Sequence, residues 1–323
     1  MPDVPPRTVM AATHTVFTQE IGSEGKHPRI ALVTGLRSEE FNGTFVLARL
    51  ADYLRGVVEG AYPGQRLRSR VVITLASRDT TKRATALPAR TAPEDATGAS
   101  NKPLQSDPQS VDKIIEATRA AYYRVEIGAS STSLEELPQV CLHECSDDER
   151  ASAFLFGLPA IIEYPMQALT ANALATAWQS LGGENFVIHA GQAGNLQPQH
   201  CERLFRALVS FLDRAGVLEG IDLSEEEDDI HHFGVHQTLP VLTDATGFFV
   251  SRLEVGRWVR AGESVGMVYD RRLGGLTAEV KAPIGGLVSA LRRHPLLVEG
   301  TLVARIQTHD SFPEPKRAEV SDS

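Results

Sequence analysis

Short apolar runs and longer stretches of helical periodicity alternate through the first two thirds of the chain. The apolar runs predict strands at 29–34, 69–75, 121–127, 160–164 and 185–189. The helical pattern predicts helices at 44–58, 111–119, 148–156, 172–181 and 198–215. The run Ile30–Val33 is apolar without interruption, as in a parallel strand covered on both faces. Strand–helix alternation of this kind predicts an α/β fold with a mostly parallel or mixed sheet flanked by helices. Ahead of it, residues 14–18 are expected to add an edge strand.

Beyond Ile230 the helical period vanishes. Glycine-punctuated short strands take over, as in GFFVSRLEVGRWVRAGESVGMVYD and EVKAPIGGLVSALRRHPLLVEGTLVARI. The phrase VRAGESVGMV, starting at Val259, parallels VEGTLVARI, starting at Val298. Two such hairpin units predict a small pseudo-symmetric all-β barrel or sandwich. The expected organisation is a leader or edge strand at 1–28, an α/β domain at 29–222 and an acidic linker at 223–230. A β-barrel at 231–310 and a disordered tail at 311–323 follow. The charge run SEEEDD, from Ser224 to Asp229, reads as a solvated linker. Residues 77–108, rich in Thr, Ala, Pro, Asp and Ser, are long for a loop and read as a lid or a partly disordered segment.

Composition narrows the setting. A chain of 323 residues corresponds to about two domains. The net charge of −9, with no basic tract, argues against nucleic acid. Three cysteines, Cys141, Cys145 and Cys201, fit a reducing compartment better than a disulfide scaffold. No apolar run approaches a membrane span of roughly 18 residues. The N-terminal MPDVPPRTVMAATHTVF lacks the apolar core of a signal peptide, so a cytoplasmic location without membrane attachment is expected.

The phrase APIGGLV, from Ala282 to Val288, resembles the barrel-sandwich fold of biotinyl and lipoyl carrier domains. The carrier hairpin of those domains corresponds here to Gly274-Gly275, and Lys281 is expected within a strand. The resemblance therefore implies a structural barrel, not a swinging-arm carrier. The α/β domain carries Gly35-x-x-x-x-Glu40-x-x-Gly43, then FGLPAIIEYP, NFVIHAGQAG and LFRALVSFLDRAGVLEG. With the barrel behind it, this order resembles the succinylglutamate desuccinylase/aspartoacylase family of zinc hydrolases with a carboxypeptidase-like fold.

That resemblance implies specific site positions. Glu40 falls on the family's ligand glutamate and Arg37 on its first ligand histidine. Gly128 falls on the second ligand histidine and His189 on the general-base glutamate. Arg78 and Arg83 are the only candidates for the substrate-carboxylate clamp. A catalytic zinc takes about three protein ligands and an open position. Arginine has no lone pair to give and stays protonated. The expectation is a degenerate zinc site and no metal cofactor, in a non-catalytic ligand-binding or scaffold protein. Its partners would be a small carboxylate-bearing ligand, and either further copies of itself or an active enzyme.

Two alternatives remain open at this point. A rearranged divalent metal site could use Glu40, Glu126 and His189, joined by His143 and Cys145 of CLHEC, in a deacylase of an N-acyl amino acid or related amide or ester. An anion pocket could use Arg37, Glu40, Glu126 and Arg78, or Arg37 and Glu40 could simply form an ion pair. The cluster IHHFGVHQ, with His231, His232 and His236, offers either a metal site or ordinary packing at the start of the barrel.

Overall fold

The computed structural model describes residues 14–22, 28–36, 39–78, 108–129, 131–165, 173–221 and 229–310. Its α/β part contains β1 (His14–Ile21), β2 (Pro28–Thr34), α1 (Phe41–Val58), β3 (Arg66–Leu67), β4 (Arg70–Arg78), α2 (Pro108–Thr118) and β5 (Tyr123–Gly128). There follow β6 (Leu134–His143), α3 (Asp147–Ala153), β7 (Ala160–Tyr164), α4 (Ala173–Gln179), β8 (Glu184–Gly191), α5 (Pro198–Arg214) and β9 (Leu218–Glu219). The expected helices and strands are present with ends shifted by a few residues. The edge strand is longer than expected and pairs antiparallel along β4 from end to end. The segment expected as a lid lies largely outside the described residues, as do the acidic run and the tail.

The main sheet runs β1-β4-β2-β5-β8-β6, with β7 alongside β6. Strands β4, β2, β5 and β8 are parallel, and β6 then turns antiparallel to β8. One face is covered by α1 and α5. Leu32, Leu47, Leu50, Leu54, Phe156, Phe186 and Phe211 are fully or almost fully buried there. The other face packs Val33 with Ile114, Leu174 and Trp178 of α2 and α4. Local chemistry sets several ends. Ser146 and Glu149 close a reciprocal capping box at the start of α3, and Pro198 opens α5 where its missing N–H costs nothing.

The C-terminal part contains β10 (His231–Phe233), β11 (Thr238–Leu242), β12 (Gly247–Ser251), β13 (Trp258–Val259) and β14 (Ser264–Tyr269). It ends with β15 (Leu276–Lys281), β16 (Gly286–Arg292), β17 (Leu296–Leu297) and β18 (Leu302–Gln307). These strands lie in two sheets, not one closed sheet. β15, β14, β12 and β17 form a four-stranded sheet, while β16, β18 and β11 continue the main sheet through β6. Phe249, Val268 and Val280 of the small sheet share a core with Val288, Leu291, Val303 and Ile306. Lys281 ends β15, a strand away from the Gly274-Gly275 turn.

Candidate functional site

The site sits where β2, β5 and β8 end, and it begins with a strained residue. Glu39 has φ 80°, a conformation rare for any residue with a side chain. Its carbonyl accepts from Phe41 N at 3.0 Å and Gly194 N at 2.8 Å. That bend lets the next side chain fold back. Glu40 is buried, and its Oε2 accepts from the Gly35 N–H at 2.9 Å. Gly35 itself must lack a side chain: with φ 82°, a β-carbon would meet the Ala76 carbonyl oxygen at 1.9 Å.

Gly128 faces the same carboxylate. A β-carbon on it would lie 2.5 Å from Glu40 Oε1. The two positions aligned above with a ligand glutamate and a ligand histidine are therefore neighbours in space. At the histidine position there is no side chain, and Glu40 fills the room. Arg37 lies outside the described residues. Arg78 ends β4, and its side chain and Arg83 also lie outside them. Glu126 is buried two residues below Gly128, in register with Val33 and Val187.

His189 pairs in register with Gly128 on one side and with Gln139 of β6 on the other. Its Nδ1 lies 3.5 Å from Glu136 Oε2. Burial alone would pull this imidazole down. Cys141 and the Glu136 carboxylate nearby hold it well above the usual value instead. His143 goes the other way, lowered to about 4 by burial and by the charge of His189. Tyr164 stacks on His143 at 5.6 Å and is raised, first by burial and then by Cys141. Glu136, 1% exposed, also accepts from Arg305 Nη1 at 3.2 Å.

The remaining candidates separate from this cluster. Cys145 lies 3.9 Å from Glu163 Oε1. The same oxygen accepts from Arg150 Nε at 2.7 Å and is 2.9 Å from His232 Nε2. Burial would raise Glu163, but Arg150 and His232 keep it below the ordinary carboxylate value. His231 packs on Trp258, ring centres 5.0 Å apart. His236 lies in the turn after β10. Among the described residues, no group of three or more His, Cys, Asp or Glu side chains is placed to hold a metal ion.

Glu136, Gln139 and Arg305 were not expected as site residues. The signal available was two adjacent acids, Glu135-Glu136, in the otherwise apolar stretch LEELPQVCLH. Acids in a buried strand need cationic partners from elsewhere. Glu135 finds them in Arg293 and in His200, 2.7 Å away.

Solved structures with this fold include several named for the family the sequence resembles. The ectoine utilization protein EutE (DoeB) from Ruegeria pomeroyi, with product bound, is 19% identical. The match covers 87% of this chain and 85% of that one, with a TM-score of 0.61. A succinylglutamate desuccinylase/aspartoacylase from Rhodobacter sphaeroides is 18% identical over 88% and 87%, at 0.61. A succinylglutamate desuccinylase from Silicibacter sp. TM1040 is 19% identical over 92% and 89%, at 0.62. No protein-family model and no curated protein matches the sequence. At such identities the shared property is the fold, and this chain has the fold of those structures. No helix among the described residues is long and apolar enough to cross a membrane.

Proposed function

We propose that this chain is an aspartoacylase-like protein with a degenerate zinc centre. It acts as a non-catalytic ligand-binding or scaffold subunit, alone or beside an active enzyme of the same fold. One observation carries the reading: the Gly128 position points its missing side chain at the Glu40 carboxylate, 2.5 Å from a would-be β-carbon. A zinc site needs a donor there. In its place Glu40 is tied to the Gly35 N–H.

The other positions support the same reading. His189 is engaged with Glu136 and Cys141, and an arginine at position 37 has no lone pair for a metal. The residues present do not fit a resident zinc. Without a metal the bound water keeps a high pKa, so no step of metal-assisted hydrolysis is assigned to this chain. The proposed ligand is small and carries a carboxylate, and Arg37 and Arg78 are its proposed cationic contacts. The C-terminal strands are proposed as a lipoyl-like barrel-sandwich that serves as structure.

The test is metal content. Tag-free protein purified without added metal is expected to hold well under one zinc per chain by plasma mass spectrometry. Near-stoichiometric zinc that disappears in Glu40→Gln would overturn the reading and restore the metal-dependent deacylase.

A further inference from the structure

Where the α/β part meets the C-terminal strands, a cavity of about 210 Å³ opens, and neither Glu40 nor Gly128 lines it. Its apolar walls are Leu137 of β6 and Leu287 of β16, both buried. Arg203 of α5, Asp229 just before β10 and His231 of β10 add polar groups, and Trp258 of β13 adds an indole. The backbone around the cavity is fixed. The His231 N–H donates to the Pro159 carbonyl at 3.0 Å, the Gly256 N–H donates to the Val288 carbonyl at 2.8 Å, and Trp258 pairs with Leu287. Clefts of this kind, between two parts of a chain and with a few polar groups on apolar walls, are where small ligands bind.

Trp258 sets the shape of the ligand. His309 stacks between Phe233 and Trp258, with ring centres 5.2 and 6.0 Å apart and planes 24° and 26° apart. Phe233 is fully buried at one end of this stack. Trp258 ends it at the other, 45% exposed, and it alone of the three rings lines the cavity. A stack that ends on an open indole accepts a further flat ring. An apolar cavity of roughly 150 Å³ takes up benzene, so one of about 210 Å³ has room for two fused rings. The charges then select within that class. A guanidinium only donates and a carboxylate only accepts, so Arg203 and Asp229 suit a neutral ring system with one accepting edge and one donating edge. The acidic run that ends at Asp229 and the net charge of −9 disfavour a phosphate.

We propose that this cleft binds a 6-oxopurine nucleoside of the guanosine type, with its base stacked on Trp258. Guanine meets each requirement. Its O6 and N7 accept together from an arginine fork, here Arg203, whose five N–H donors serve more than one acceptor. Its N1–H and 2-amino group donate together to a carboxylate, here Asp229. Leu137 and Leu287 cover the ring carbons. Arg203, Asp229 and Trp258 are all exposed residues, so the ribose stays in water at the mouth. The site is separate from Glu40 and Gly128, and its occupancy is independent of whether the chain holds zinc.

The experiment titrates the full chain with guanosine, by calorimetry and by tryptophan emission. The chain has two tryptophans, and Trp178 is fully buried, so a change in emission reports Trp258. Saturable binding with a Kd below about 1 mM is expected, with quenching of the exposed indole. Adenosine, which lacks O6 and the N1–H, is expected to bind more weakly by about fivefold or more, the low end for a lost bidentate contact. Guanosine monophosphate is expected to bind more weakly than guanosine. Asp229→Ala and Trp258→Ala are each expected to weaken guanosine by about fivefold or more, from the lost bidentate contact and the lost stacking surface. Both positions are exposed, so both variants are expected to fold. Absence of saturable guanosine binding to the unaltered chain, which needs no variant, would overturn the proposal. So would adenosine or the monophosphate binding as tightly as guanosine, or a folded Trp258→Ala chain with the parent affinity.

Discussion

Arg305 reaches Glu136 across an alanine. Ala290 pairs with Glu136 on one side and with Arg305 on the other, so the three side chains stand in one row. Because Ala290 is small, the guanidinium passes over it to Glu136 Oε1, 3.2 Å away. Strand β18 thereby supplies a charge to the carboxylate that lies beside His189.

Breaking this pair on one side should be costly, since it removes a partner from a carboxylate only 1% exposed. Arg305→Met is expected to destabilise the chain by about 3 kcal/mol in urea unfolding, the low end for a buried pair because His189 remains. Arg305→Met combined with Glu136→Met is expected to recover part of that loss, with a coupling above about 1 kcal/mol. Losses that simply add would show that the two residues act apart.

Gly128 tests the strand-end geometry. Gly128→Ala places a β-carbon 2.5 Å from Glu40 Oε1, so the carboxylate has to leave the Gly35 N–H. The expected cost is about 1–3 kcal/mol, the range for overpacking a filled site. Gly128 is not among the positive-φ glycines, so backbone strain adds nothing. An Ala variant as stable as the parent would mean that Glu40 moves freely.

The two histidines give stability opposite slopes with pH. His143 is held at about 4 against an ordinary 6.5. The unfolded chain therefore takes up a proton first as pH falls, and stability drops between pH 6.5 and pH 4, by about 3 kcal/mol at pH 4. His189 is raised. Its contribution is full below 6.5 and fades as pH rises toward its folded value. His143→Asn is expected to flatten the acid side of the profile only. Urea unfolding from pH 4 to pH 8 reads both slopes, and an unchanged acid limb in His143→Asn would remove His143 as its source.

Much of the α/β part was legible because its strands and helices obey one period each. Ile30–Val33 read as a buried strand and has no exposed residue. Strand β6 was missed as an element, although it is ten residues long. Its sequence LEELPQVCLH mixes Glu135, Glu136, Pro138 and Gln139 into a stretch that is buried on both faces, so neither alternation nor an apolar run marks it. The two glutamates are satisfied by His200, Arg293 and Arg305, all distant in sequence. The closeness of Glu40 to Gly128 was legible through the family resemblance. The meeting of Glu136 with His189 was not. It depends on the antiparallel β6–β8 register and on the irregularity between Glu136 and Gln139, which no local pattern encodes.

The last prediction rebuilds the metal site. By alignment, Arg37→His, Gly128→His and His189→Glu restore two histidines and a base beside Glu40. The geometry adds a requirement, because Glu136 Oε2 lies 3.5 Å from the His189 imidazole. A glutamate at 189 would set two carboxylates side by side, and one would stay protonated. Glu136→Gln belongs in the same variant to relieve that repulsion. The histidine at 128 must also push Glu40 off the Gly35 N–H, which frees the carboxylate to serve as a ligand. The fourfold variant is expected to bind zinc at micromolar Kd or tighter, about 8 kcal/mol of binding free energy. The threefold variant with Glu136 intact is expected to bind more weakly. Hydrolysis of N-acyl amino acids should return faintly at most, since the positions of a substrate-carboxylate clamp are not restored. Calorimetric titration with zinc on the folded variants is the measurement. If the fourfold chain folds and takes up no more zinc than the parent, positions 37, 128 and 189 do not converge on Glu40, and the alignment that pairs them with a zinc centre is wrong.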